Sequence, residues 1–455
     1  MKSYLLSAAI LSAVLSGCGG GSAGSGSTGS GSPTPTPTPS PSSTPAPPAT
    51  AISYLHVFRL NASDGGQAVG PPVVATDGNL YGATAVGGGG FCQTTGLGCG
   101  IVYRIAPTGQ ETILKSFGES TNDGRQPSGP LLQGRDGAFY GATANGGTYN
   151  KGTIYRITAD GSFSILHSFK GYPDEGRTPT GKLVQAPDGT IFGTTANEGM
   201  VDCSKFPQAG FVSCGTIFKI APDGTFTTLH SFGTTFDDGL TPTGGLLLAS
   251  DGNLYGTTQN GGTNSCTTSN EKNNCGTLFR ISTSGDYTVL RSFGATQDDA
   301  MAPNGGLIEG SDGNLYGSSA SGGGGRCGSQ FGCGTVFRTT KAGALVVLYR
   351  FALNGRLDGY YPSNLIFGRD GFLYGTTGSG GSTQADLTGT IFRLTTAGVK
   401  TTLFSFGELN LDPGNPSELA EGADGTFYGS TRYNGKFGVV NEYGGMGTIF
   451  RFTVG

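Results

Sequence analysis

The sequence contains no Trp, only three His and few charges: Asp, Glu, Lys and Arg make up 13% of 455 residues, against roughly 25% in ordinary soluble domains. Groups able to exchange a proton near neutral pH are therefore scarce. The 27 basic and 31 acidic residues leave a net charge of −4 and form no basic run. This excludes nucleic-acid binding through a phosphate-neutralising stripe, and attachment to lipid through a polybasic patch. A helical 3.6-residue periodicity is missing throughout. The N-terminal apolar stretch from Tyr4 to Leu15 is too short to span a bilayer. Gly (85) and Pro (23) are abundant, together about a quarter of the chain. A hydrophobic share of 35% nevertheless rules out a wholly disordered polypeptide.

Residues 1–17 read as an export signal: basic Lys2, the apolar stretch, then small residues. Leu15-Ser16-Gly17-Cys18 resembles the lipobox of bacterial lipoproteins, and the resemblance implies cleavage before Cys18 and lipid on its thiol. Residues 18–50 form a linker. Its Gly/Ser part behaves as a flexible coil of about 20 Å, and the Pro-rich part, Pro33 to Pro48, as a semi-rigid polyproline II spacer of about 50 Å. These features place the chain in a bacterial cell envelope, lipid-anchored and exposed outside the cytoplasm.

From residue 51 to 455 one unit of about 58 residues recurs seven times. Its first mark is Asp-Gly, a variable residue, an apolar residue, an aromatic and Gly, with the Asp at 77, 136, 188, 251, 312, 370 and 424. A second mark, Gly followed by a short apolar-aromatic-basic run, starts at Gly100, Gly152, Gly215, Gly276, Gly334, Gly389 and Gly447. A third ends in Phe58, Phe117, Phe169, Phe232, Phe293, Phe351 and Phe406. Asp-Gly and Ser-Gly between apolar runs signal tight hairpins, because such turns need φ > 0 where Gly costs least. Each unit holds four short strands, as a propeller blade requires. The expected fold is all-β, a seven-bladed β-propeller of four-stranded antiparallel blades. A lone fourth strand at Ile52–Phe58 and a lone third strand at the C-terminus complete one blade between them, so pairing them closes the ring and removes open edges.

On DGNLYGTT, GTLFRI and the Leu-x-Ser-Phe strand ends, Ile52–Gly455 resembles the GloVer-type tandem repeat family. That resemblance implies an exported, anchored repeat protein; it implies no reaction and no catalytic residues. Apart from Cys18, the cysteines fall in four local pairs: Cys92 and Cys99, Cys203 and Cys214, Cys266 and Cys275, Cys327 and Cys333. Each pair lies within one loop between second and third strands, with the later Cys immediately before the Gly that opens the third strand. This predicts four local disulfides. Zinc, which wants four converging ligands, is disfavoured because the pairs belong to separate blades.

The Asp of each Asp-Gly turn and the basic residue of each third strand (Arg104, Arg156, Lys219, Arg280, Arg338, Arg393, Arg451) recur sevenfold, predicting Asp-to-Arg ties within the fold. A second acidic set between blades, Asp64, Asp123, Asp174, Asp237–Asp238, Asp298–Asp299, Asp358 and Asp412, reads as turn caps. Calcium is the alternative at Asp237, Asp238, Asp298 and Asp299, where carboxylate density approaches the six to eight oxygens that this ion takes. His56, His167 and His230 share one register two residues before the closing Phe, on three different rims, and read as surface or packing residues. Without a convergent His, no Ser-His-Asp or Cys-His arrangement has a base, and no catalytic residue is assigned. The irregular loops hold the binding candidates Phe206, Phe211, Phe331, Arg432, Tyr433, Lys436 and Tyr443.

The resulting expectation is a monomeric, surface-anchored lipoprotein whose propeller binds an extracellular glycan or protein through its loop face. It would need no cofactor, calcium being the exception weighed above. The rival readings are a polysaccharide-active enzyme using carboxylates in the central well, such as Asp237 or Asp298 with a second acid, and a purely structural envelope protein.

Overall fold

Four-residue alternations such as Leu254-Tyr255-Gly256-Thr257 cannot bury both faces alone, and each is paired into a small antiparallel sheet. The computed structural model describes residues 50–59, 64–90, 92, 98–120, 122–201, 214–235, 237–264, 266, 275–324, 332–353, 355–381, 388–407, 414–433 and 446–454. The chain divides at Ala46/Pro47, and all described residues fall in the second unit. They form seven sheets, the blades of a β-propeller, numbered here 1 to 7 from Asp64 onward. Among the described residues no helix is long and apolar enough to cross a membrane.

Blade 4 shows the plan: Leu246–Leu248, Leu254–Thr258, Thr277–Ile281 and Tyr287–Ser292 pair in that order. Its first hairpin turns at Gly252, whose φ of 79° explains the Asp-Gly signature. In blades 1, 2 and 5 the innermost strand is broken into two pieces, so those sheets count five strands where four were expected. The break follows a residue in the left-handed region, Gln67, Gln126 or Ala302, and the same kink recurs at Thr178, Thr241, Tyr361 and Asn415. At each kink the N–H donates to the preceding blade, for example Thr241 to the Cys214 carbonyl at 2.9 Å and Ala302 to that of Cys275 at 2.8 Å. The strain, which costs non-Gly residues of the order of 1 kcal/mol, is offset by this blade-to-blade bond. In six blades a Pro follows the kink and packs against the Gly that opens the neighbour's third strand; an added Cβ at Gly276 would sit 2.9 Å from Pro303 Cδ.

The core lies between blades. Each closing Phe is fully buried and meets the third-strand aromatic of the next blade: Phe232 with Phe279 at 5.5 Å, Phe293 with Phe337 at 5.4 Å, Phe406 with Phe450 at 5.6 Å. The Gly after the aromatic in each second strand makes room for that ring. At Gly256 a Cβ would stand 2.4 Å from Phe279 Cζ.

Strand Thr50–Val57 completes blade 7. It pairs antiparallel with Thr448–Val454, from Thr50 opposite Val454 to Val57 opposite Thr448. Phe58 then meets Tyr103 of blade 1 at 5.4 Å. The ring is closed as the terminal half-blades suggested.

Candidate functional site

At six of the seven blade junctions the described residues show the side chain two residues before the closing Phe facing an acid of the following loop, beside the position six before the next closing Phe. Between blades 1 and 2 these are Lys115, Asp123 (3.1 Å) and Phe163, whose ring lies under the ammonium. Between blades 2 and 3, His167 bonds Glu175 at 2.8 Å and stacks on Phe226. Between blades 3 and 4, His230 bonds Asp238 at 2.9 Å and stacks on Tyr287. Arg291 pairs with Asp299 at 2.7 Å, and Tyr349 donates to Asp358 at 2.8 Å beneath Lys400. The acid also accepts the backbone N–H near the strand end, as Asp123 does from Gly118 at 3.1 Å, so it fixes the chain's exit from each blade.

The ring-closing junction departs from this scheme. Its set is His56, buried Asp64 and Glu111, with His56 Nε2 at 3.3 Å from Asp64 Oδ1 and 3.7 Å from Glu111 Oε2. Leu55, Val57, Arg59, Gly109 and Gln110 complete an open pocket. Burial opposes charge on His56, but the hydrogen bond to Asp64 and the charge of Glu111 outweigh it and raise its pKa. Burial likewise works against the Asp64 anion, yet His56 and the N–H groups of Arg59 and Gly65 lower its pKa. Glu111 has no such donors, and burial with the nearby Asp64 charge pushes it up to about 7.

These junctions correct several expectations. The three His pack, as expected, each edge-on against its closing Phe, and each is in addition partnered to a loop acid. The loop acids do more than cap turns, and in blade 3 the member that pairs is Glu175, while Asp174 is exposed. The carboxylate of Asp238 is engaged by His230 and by the N–H and hydroxyl of Thr234; that of Asp299 is engaged by Arg291, Ala295 and Ala300. Asp237 and Asp298 are exposed beside them. They stand on loops rather than on the inner strands around the axis. Asp412 lies outside the described residues.

The expected Asp-to-Arg ties give way to a shorter-range contact. Arg156 reaches Asp136 at 2.7 Å, but the recurring partner of the turn Asp is the Tyr four residues on: Tyr81 with Asp77, Tyr140 with Asp136, Tyr255 with Asp251, Tyr316 with Asp312, Tyr374 with Asp370. The signal was present as Asp-Gly-x-x-Tyr. Burial, then the Asp bond, holds Tyr81 and Tyr255 up at about 12, and burial raises Tyr103 and Tyr155 as well. These groups keep in the fold a proton that the unfolded chain releases from about pH 10. Their stabilisation is thus complete below pH ~10 and is lost above it. Thermal melting recorded alongside tyrosinate absorbance should show the melting temperature falling as pH climbs past that value; a flat profile would contradict the assignment.

Disulfides join Cys92 to Cys99 and Cys266 to Cys275, with Cα atoms 5.2 and 5.5 Å apart. Cys214 and Cys333 are disulfide-bonded too, while their expected partners Cys203 and Cys327 lie outside the described residues, as do Cys18, Phe206, Phe211, Phe331, Lys436 and Tyr443. Arg432 and Tyr433 end the second strand of blade 7, Arg432 exposed. The second-to-third strand loops adjoin the blade-to-blade loops: Gly88 donates to the Asp64 carbonyl, Gly147 to that of Asp123 and Gly323 to that of Asp299. They therefore share one face, as expected.

Near the axis Asn364 bridges two other inner strands, donating to the Glu418 carboxylate and accepting from the Gly306 N–H. Burial raises the pKa of Glu418 against the opposing charge of Lys182. Among the described residues no second carboxylate is bonded to this group. Sequence reasoning missed it because a single Glu in one repeat has no counterpart in the others.

A ring of seven antiparallel blades, closed by its own N-terminal strand and stapled within its loops, defines a β-propeller repeat protein. The chain belongs to the Gloeobacter/Verrucomicrobia repeat family, whose model matches residues 89–331 and 265–455. No curated protein matches the sequence. Among solved structures it is similar to a gluconolactonase from Xanthomonas campestris (13% identity over 90% of this chain and 95% of that one, TM-score 0.42). It is also similar to a luciferin-regenerating enzyme (11%, 89% and 95%, TM-score 0.44) and to the PQQ-bound aldose sugar dehydrogenase of Streptomyces coelicolor (15%, 72% and 94%, TM-score 0.41).

Proposed function

We propose that the protein is an exported lipoprotein, anchored through Cys18 in the bacterial envelope, whose propeller binds an extracellular glycan or protein through its loop face. The observation that carries this reading is the division of labour within the repeats. The recurring loop acids join blade to blade, and the recurring tyrosines tie five of the Asp-Gly turns to their second strands. The sequence varies between repeats mainly in the segments joining second and third strands, and where these segments are described they leave the blade beside the blade-to-blade loops, as at Gly88, Gly147 and Gly323. Disulfides at the bases of such loops restrain them, which lowers the ordering cost of binding. Aromatic and basic candidates, Phe206, Phe211, Phe331, Arg432, Tyr433, Lys436 and Tyr443, stand in these segments or at their edges. The chain is read as a monomer with no nucleic-acid partner.

The test is incubation of the full chain with a panel of envelope and environmental polysaccharides, scoring both protein retained and oligosaccharide released. Retention without released product is expected, with replacement of Arg432 and Tyr433 by Ala weakening it about tenfold or more if they are central to the contact. Released oligosaccharides would replace the binding reading with an enzymatic one. Neither retention nor release, with no envelope protein captured by cross-linking, would leave a structural role.

A further inference from the structure

We propose that His56, Asp64 and Glu111 form a binding site for a divalent transition-metal cation of the zinc type, which clamps the N-terminal strand of the ring to blade 1. The three side chains come from three separate pieces of chain: the strand Thr50–Val57, the loop that leaves it, and the strand Glu111–Ser116. One ligand atom from each lies within 4.8 Å of the others. The separations from His56 Nε2, 3.3 Å to Asp64 Oδ1 and 3.7 Å to Glu111 Oε2, are close to the edge of a tetrahedron, about 3.4 Å, around an ion with ligands at about 2.1 Å. Little movement is needed to bring all three onto one ion.

Two further observations point to a ligand. The Glu111 side chain is nine-tenths buried, and its Oε1 is buried without a hydrogen-bond partner. A carboxylate oxygen in that condition is costly to bury and is satisfied by a cation. The corresponding position at the other six junctions is Phe163, Phe226, Tyr287, Leu345, Lys400 or Ile52, a hydrophobic or cationic side chain. His167 and His230 each bond one acid, at 2.8 and 2.9 Å, but Phe226 and Tyr287 stack over their rings where Glu111 stands at the seam. Among the described residues, ring closure is where an imidazole and two carboxylates come close enough to share one ion.

The donor set selects the ion. Two carboxylates neutralise a divalent charge, and an imidazole nitrogen suits zinc or a neighbouring transition metal better than calcium or magnesium, which take oxygen ligands. The pocket bounded by Gly109, Gln110 and Arg59 is open to solvent, which gives an entry path and room for water as a fourth ligand. Arg59 is exposed there and is the one cation among the lining residues. The clamp would act on the strand that carries the N-terminal segment, where any pull on an anchor enters the ring.

The experiment is zinc titration of the chelator-stripped full chain by calorimetry, with thermal melting in zinc, in calcium and after added chelator. One zinc per chain with micromolar or tighter affinity is expected, raising the melting temperature reversibly. Glu111→Phe installs the residue of the sister junction and should keep the fold while weakening zinc binding by about tenfold or more. His56→Ala and Glu111→Gln should do the same, and His230→Ala should leave binding unchanged. Absence of saturable zinc binding by the parent chain, binding that survives both Glu111→Phe and His56→Ala, or an equal response to calcium would overturn the site.

Discussion

A chain that begins at Arg59, lacking the strand Thr50–Val57 and Phe58, is expected to lose its cooperative unfolding transition and to self-associate. The deletion removes every rung from Thr50–Val454 to Val57–Thr448 and takes fully buried Phe58 from its cluster with Tyr103, Ile105 and Ile449. Removing one such aromatic alone costs about 3–5 kcal/mol, a large part of the marginal stability of a domain. The loss also bares Thr448–Val454 as an unpaired edge of alternating apolar residues, the template for intermolecular pairing that a closed ring removes. The comparison is with a chain beginning at Pro47, by thermal circular dichroism and sedimentation velocity. A synthetic peptide of residues 50–58 should restore a monomer by adding the missing strand in trans. A monomer melting at the parent temperature without the strand would contradict the role given to ring closure.

The second large effect is expected at the junction of blades 5 and 6, where Asp358→Ala should destabilise the protein by about 3–5 kcal/mol, the cost of leaving a buried charge uncompensated. The Lys400 side chain is 3% exposed. Its ammonium donates to the Asp358 carboxylate at 2.7 Å, to the Asp358 carbonyl and to Thr402 Oγ1, both at 2.9 Å, and it lies among the rings of Tyr349, Phe351 and Phe392. Burial outweighs Asp358 and lowers the pKa of Lys400 below 10.5. Between the two values the unfolded chain binds the proton more strongly, so the lysine's contribution to stability rises with pH in that window. Without Asp358 the depression deepens and the window widens downward. Adding Lys400→Leu, the residue type found at Leu345 of the preceding junction, should recover most of the loss, because no charge is then buried. Urea midpoints of the two single variants and the double variant measure the coupling. Additive losses would show that the pair is not a unit.

Sequence and structure divided the description along a physical line. The strands, the turns, the seven units and the closure of the ring were readable because they rest on residues a few positions apart: period-two alternation, Gly at φ > 0 after Asp, and two half-blades at the ends of the unit. The local cysteine pairs were readable for the same reason, as Cys92–Cys99 and Cys266–Cys275 show. The Asp-to-Tyr tie, which accompanies the expected Asp-to-Arg contact at Asp136, also sits within four residues of its turn. The kinks at Gln67 and its equivalents were hidden because the bond that holds each one comes from another blade.

The junction sites lay beyond sequence reasoning. His56, Asp64 and Glu111 are spread over two blades, and whether the acid that pairs is Asp174 or Glu175 changes nothing in the local pattern. These contacts are set by the stagger of one outer strand against the next, a consequence of how twisted sheets pack around an axis. The sequence by itself determined a ring of seven four-stranded blades and how that ring closes, since hydrogen-bonded hairpins encode themselves locally. Only the tertiary structure decided which charges meet, which are buried, and that the seam gathers an imidazole and two carboxylates, because packing between blades joins residues whose separation in the chain carries no signal.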